Sequence, residues 1–274
     1  VLDSNGLSLC DATFACSKVE LSRRHTVDVF STIAWFRALA RGANATTIAQ
    51  VARFYEPIPS ASTERLKWRH KQWHERSQGR RRPSPATVTA AESRCSGSAA
   101  VFQLALWPAL RVDWELERCF SEVSRLLPVQ QRPDFESRFH SAPRHSADAY
   151  AKALQRRGTL DDLACLLVLL RQANENNSFH SAWMLAKGVN RVLLLQAGWL
   201  LAHGLLRPLV EYVDREFFLP PRPPCPSASV FVYFHQLEWL TKSVPRHMPE
   251  VLDGFDEGLW HQGVNLALIH ADGL

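Results

Sequence analysis

At 274 residues and 46% hydrophobic content, the chain has material for one large domain or two ordinary ones, which excludes a disordered tail or a small disulfide-stapled scaffold. The net charge of +5 is local: Arg65, Lys67, Arg69, Lys71, Arg76, Arg80, Arg81 and Arg82 stand against only Glu64 and Glu75, a balance of +6, so the rest of the chain sums to about −1. A diffusely basic surface is thereby excluded, and the distribution is the kind expected for an anionic partner such as a phosphate backbone.

Period-2 alternation never persists, while helix start and stop signals recur, so an all-α fold is expected. TVDVFSTIAWFRALARG places Val27, Phe30, Ile33, Ala34 and Leu39 on one helical face, with Gly42 as the expected C-terminal cap. A shorter helix follows, capped by Thr46 or Thr47, with Ile48, Val51, Ala52 and Tyr55 on its apolar side and Pro57 ending it. Ser62 or Thr63 caps a helix through the basic stretch, and Gly79 stops it. Ser84 caps the next, with Pro85 at the first helical position, where a missing N–H costs nothing.

Asp113 is the expected N-cap of a helix ending before Pro128, and the polar segment 130–145 reads as a connection. Ser146 opens a helical bundle. Thr159 with Asp162 forms a variant capping box for LDDLACLLVLLRQA, and Ser178 opens a long apolar helix expected to continue past Gly198. PPRPPCP, residues 220–226, is a stiff spacer, and short helices close the chain. The resulting organisation is a helical module over 1–112, a connecting helix and polar linker over 113–145, and a helical bundle over 146–274.

Cys10, Cys16, Cys95, Cys119, Cys165 and Cys225 are scattered without a CxxC pair, which argues against a disulfide framework. The first residues show neither a basic n-region nor a continuous apolar h-region, and VLLLQAGWLLAHGLL is too short to span a bilayer, so a cytoplasmic protein with no membrane partner is expected. HKQWH puts His70 and His74 at zinc-protease spacing, but Lys71 stands where the general-base glutamate belongs, so no metal site is expected. No nucleophile elbow, phosphate loop or dinucleotide turn occurs. Asp161 and Asp162 read as first-turn acids complementing a helix dipole, and Cys165 reads as core. No catalytic residue, enzyme activity or cofactor is expected.

The basic stretch is the candidate site. At 100° per residue, Arg65, Arg69, Gln72 and Arg76 fall within about 60° of one another, and Leu66 and Trp73 share a neighbouring stripe that can dock. Arginine pairs bidentately with guanine and glutamine with adenine, and both also hold phosphates, so this face has the chemistry of a major-groove reader. Lys67 and Lys71 add charge beside it, and Arg80, Arg81 and Arg82 precede a helix N-terminus where backbone phosphates fit. A solvated face without a partner and an acidic protein surface are the alternatives. RNA stacking on Trp68 and Trp73 is a third.

"TTIAQVARFYE", a loop, then "KQWHERSQGRRRPSPATVTAAE" resembles the phage-repressor helix-turn-helix class over residues 26–95. That resemblance implies that Ile48, Val51 and Ala52 pack the first helix of the pair, that the Arg65 to Arg76 face is the reader, and that residues 79–84 form the exit turn. PIPSAS is a longer turn than the class usually has, as is the spacing from Trp73 to Gly79. Duplex DNA is the expected partner of a regulatory protein, with the C-terminal bundle forming a homo-oligomer or binding a protein.

Overall fold

The computed structural model describes residues 24–56, 63–141, 146–218 and 235–240, which are helical with short connections and contain no strand. The fold class is all-α. Two compact units emerge: the first covers the chain to Gln103 together with Ala202–Leu205, the second covers Leu104–Leu201 and the chain from Leu206. The division thus falls at Gln103, ahead of residue 112.

The first unit contains α1 (Thr26–Gly42), α2 (Ile48–Tyr55), α3 (Thr63–Ser77), α4 (Pro85–Glu92) and α5 (Ser98–Phe102). Helix α1 is buried on nearly every face, with Val29, Phe30, Ile33, Ala34, Trp35, Phe36 and Leu39 in the core. Its two buried hydroxyls are satisfied along the helix, Ser31 Oγ and Thr32 Oγ1 donating to the Asp28 carbonyl at 3.1 and 2.7 Å. Gly42, expected as a cap, is instead the last residue of α1, and Asn44 takes the left-handed conformation at φ 48°. Glycine at 42 answers to packing, since a Cβ there would lie 2.3 Å from Cys95 Sγ.

Helix α2 starts with a capping box in which Thr47 Oγ1 accepts from Gln50 N at 3.2 Å and Gln50 Oε1 accepts from Thr47 N at 3.0 Å. The PIPSAS turn and Ser62 lie outside the described residues, and Thr63 is the first residue of α3. Ser84 caps α4 as expected, accepting from Thr87 N at 3.2 Å with Pro85 at the start.

The second unit contains α6 (Leu106–Ala109), α7 (Leu116–Leu126), α8 (Arg132–His140), α9 (Ser146–Arg157), α10 (Leu160–Glu175), α11 (Phe179–Leu195), α12 (Ala197–Ala202) up to Leu201, and α13 (Leu206–Val213), followed by a π-helical turn, Asp214–Phe218. Helix α10 is the axis of this unit, buried continuously from Asp162 to Leu170. Glu115, not Asp113, precedes α7, and Asp113 instead lies 3.0 Å from Arg111. The expected linker over 130–145 is largely α8. Phe135 and Phe139 pack there against Phe120 with ring centroids 5.3 and 3.9 Å apart, so two phenylalanines spaced by four make this polar segment a structural helix. The apolar helix opened by Ser178 stops at Leu195 rather than passing Gly198, with Gln196 turning its amide to the Gly158 carbonyl at 2.8 Å. The proline-rich spacer and, apart from residues 235–240, the closing helices lie outside the described residues. Among the described residues no helix is long and apolar enough to cross a membrane.

The capping box of α10 is as expected: Thr159 Oγ1 accepts from Asp162 N at 3.2 Å and Asp162 Oδ2 accepts from Thr159 N at 3.0 Å. Asp162 is fully buried, and its other oxygen takes two bonds from Arg157 at 2.7 and 3.1 Å. The neighbouring Asp161 carboxyl is pushed above its usual range by burial and then by the charge of Asp162. Asp162→Ala should therefore destabilise by about 2–3 kcal/mol in urea unfolding, the loss of one cap and several charge-assisted bonds, tempered because Arg157 reaches solvent. Asp161→Asn should act oppositely. A raised carboxyl pKa penalises the folded state above that pKa, so this variant gains stability at neutral pH and the gain fades on acidification towards the ordinary carboxylate range.

Candidate nucleic-acid interface

The rotational phase of α3 follows from one side chain. Trp73 is 1% exposed and stacks on Trp35 with ring centroids 6.0 Å apart and planes 12° apart. Phe36 of α1 and Tyr55 of α2 flank it at 6.3 and 6.0 Å, and the Tyr55 hydroxyl is fixed by donation to the Leu39 carbonyl at 3.0 Å. With Trp73 inward, residues one turn away on either side turn inward too. Arg69, Gln72 and Arg76 are accordingly buried, at 4%, 6% and 5% exposure.

This placement corrects the expected reader face. Three of its four members line the interior of the first unit, and Arg65 alone is exposed. Arg76 lies with its Cζ 4.6 Å from the Trp73 ring, its Nη1 3.4 Å from a Glu56 oxygen and its Nη2 3.5 Å from Gln72 Oε1. Burial holds its pKa below the usual guanidinium value, with Glu56 opposing. Nη1 of Arg69 and Nε of Arg76 have no hydrogen-bond partner, so neither guanidinium is fully compensated. The expected docking edge is corrected as well: Trp73 docks, but Leu66 is 44% exposed and Trp68 62% exposed, within a run over 63–68 that is exposed throughout.

The opposite face is cationic. Lys67, His70, Lys71 and His74 recur at helical spacing about 180° from the buried stripe, and all four are exposed. His74 Nε2 lies 3.0 Å from the Gln78 amide nitrogen. Among the described residues no group of three His, Cys, Asp or Glu side chains is placed to hold a metal ion. The histidines of this face lay in plain view in the sequence. The missing signal was the identity of the anchoring residue, without which Lys67, His70, Lys71 and His74 cannot be recognised as one surface.

The basic turn is held from both sides. Gly79 adopts φ +70°, with Gly79 N donating to the Arg76 carbonyl at 3.0 Å and Arg80 N to the Glu75 carbonyl at 2.8 Å, a Schellman ending. Glycine is required twice over, because a Cβ there would lie 2.5 Å from Val29 Cγ1. Arg24 was not singled out from the sequence. Its guanidinium donates to the Gly79 carbonyl, to the Asp28 carbonyl at 3.1 Å and to Thr32 Oγ1 at 3.2 Å. Burial lowers its pKa, and the positive charge of Arg82 adds to that. Arg80, Arg81 and Arg82 leave this clamped turn exposed. Arg81 lies 3.6 Å from Glu75, and Arg82 places its Cζ 5.5 Å from the Phe102 ring.

In comparisons with known proteins, no family model, curated protein or solved structure matches this chain.

The two tryptophans of α3 should respond in opposite ways. Trp73→Ala removes the keystone of the aromatic cluster and should cost about 3–5 kcal/mol in chemical unfolding, whereas Trp68→Ala should stay within about 0.5 kcal/mol of the parent. Arg69→Met keeps the packed stem and removes a guanidinium with an unpaired N–H, so stability should hold or rise by about 1 kcal/mol.

Proposed function

We propose that this protein binds duplex DNA through its phosphate backbone, using the solvent face of α3 and the turn that follows. The observation that carries this reading is the surface formed by Lys67, Lys71, Arg80, Arg81 and Arg82, all exposed, with His70 and His74 between them and Arg65 at the start of the helix. Phosphate contacts need exposed, mobile or turn-borne cations, and these meet that need. Base-edge reading needs side chains that reach into a groove, and Arg69, Gln72 and Arg76 are committed to the interior. Recognition is therefore of the backbone, with sequence preference left to duplex shape.

An acidic protein surface is the second reading. Trp68 and Leu66 are exposed next to Lys67 and Lys71, a mixture of apolar and cationic groups that suits a protein partner. Stoichiometric co-purification that survives nuclease treatment would favour it.

Binding to a random duplex should weaken steeply with salt. If Arg65, Lys67, Lys71, Arg80, Arg81 and Arg82 each neutralise a phosphate, the slope of log affinity against log salt is about −5. Replacing Arg80, Arg81 and Arg82 together by alanine should make that slope shallower by about 2 to 3, while Arg69→Met should leave it unchanged. Absence of duplex affinity at low salt, or an unchanged slope in the triple variant, would overturn the reading.

A further inference from the structure

A groove of about 460 Å³ lies between α4 and α5, a volume in the range of small-molecule sites. Val88, Ala99 and the Phe102 ring form its apolar side, while Thr89, Ser93 and Glu92 supply polar groups. It begins where the basic turn ends. Pro85, the first residue of α4, is part of its lining, and Arg82 stands with its Cζ 5.5 Å from the ring of Phe102. That ring is held edge-on by Trp35 at 6.3 Å, so the wall of the groove is braced by the same cluster that orients α3.

The charges around the groove have a direction. Glu92 accepts from Gly97 N at 2.7 Å, from Ala99 N at 2.6 Å and from Ser98 Oγ at 3.0 Å. The Ala99 and Gly97 amides hold its carboxyl below the usual range, so it is ionised at neutral pH. The Ser98 amide adds to these bonds, so Glu92 is fixed at the start of α5 while its carboxylate, an acceptor-only group, forms part of the groove wall. A phosphate is repelled at Glu92 and attracted at Arg82. A flat aromatic ligand with an amino edge and a phosphate at its far end satisfies both.

We propose that this groove takes one unpaired base of a nucleic acid whose phosphates lie along Arg80, Arg81 and Arg82, the base stacking on Phe102 with its amino edge towards Glu92. The inference rests on the duplex-binding reading and deepens it by naming a preferred substrate, a duplex carrying an extrahelical nucleotide. Stacking on an aromatic ring is tolerant of base identity, whereas an acceptor carboxylate favours bases with an exocyclic amine, so cytosine is preferred to thymine.

The test compares three probes at one low salt concentration: a perfect duplex, the same duplex with one extra unpaired cytidine, and the same duplex with one extra unpaired thymidine. The cytidine-bulged duplex should bind about tenfold tighter than the perfect one, equivalent to about 1.4 kcal/mol, and the thymidine-bulged duplex should gain less. Thr89→Trp, from the exposed face of α4, fills the groove and should abolish the gain without changing affinity for the perfect duplex; Ser93→Tyr does the same from another position. A gain that persists in either variant with native circular dichroism overturns the proposal, because it then comes from bending of the bulged DNA. Equal, measurable affinity for bulged and perfect duplexes overturns the groove alone. No affinity for any duplex overturns both readings.

Discussion

The burial of Trp73 is the constraint on which the first unit depends. An indole removes on the order of 200 Å² from water, worth about 5 kcal/mol at ~25 cal/mol/Å², and its stacking on Trp35 adds to that. Against this stand four buried N–H groups without a partner, those of Arg69 and Arg76 and the indole N–H groups of Trp35 and Trp73, the arginine pair offset by the Glu56 contact and by the packing of the two aliphatic stems. The indole is nonetheless inward, and the arginines are carried with it because they share its face of the helix. The surface that α3 shows to solvent is thus decided by an aromatic residue that never reaches it.

That competition explains which parts of the structure were legible in the sequence. Start and stop signals act over three or four residues, and they read correctly: Thr159 with Asp162, Ser84 with Pro85, and Gly79 in the left-handed region. The phase of α3 is another matter, because a helix containing Leu66, Trp68 and Trp73 on different stripes has several plausible buried faces. Only Trp35, Phe36 and Tyr55, contributed by two other helices, choose among them. The same limit applies to Gly42, whose missing side chain makes room for a cysteine far away in the chain. Where a residue's role was set by a neighbour in sequence it could be read; where it was set by a neighbour in space it could not.

In the second unit the polar residues of the central helix answer to burial. Asp162 lies at the start of an apolar helix with every oxygen engaged, and Cys165 lies one turn further in, its thiol pushed up by burial and by the nearby aspartates. Cys119 is pushed up to about 11, chiefly by burial, and donates to the Pro108 carbonyl at 2.8 Å. A thiol in that state is protonated at neutral pH and behaves as a small core residue. Arg171 donates to the Arg111 and Trp114 carbonyls at 3.1 and 2.9 Å, fastening the turn between α6 and α7. Asp162, Cys119 and Arg171 thus satisfy backbone groups at helix ends, while Cys165 fills the core of α10.

The basic turn differs from an ordinary run of arginines in how little of it is free to move. Ordering a long side chain on binding costs about 0.5–1.5 kcal/mol, and ordering its backbone costs more. Here the backbone at Gly79 is fixed before any partner arrives, by the Schellman bonds, by contact with Val29 and by the guanidinium of Arg24. Arg82 is further restrained against Phe102, and Arg81 by Glu75. Arg24 is central to this, because it ties the carbonyl of the turn to the first turn of α1, the helix that carries Trp35. One aromatic cluster therefore orients the cationic face of α3 and, through α1, anchors the turn that continues it. The two halves of the charged surface keep a fixed register because both are built on the same core.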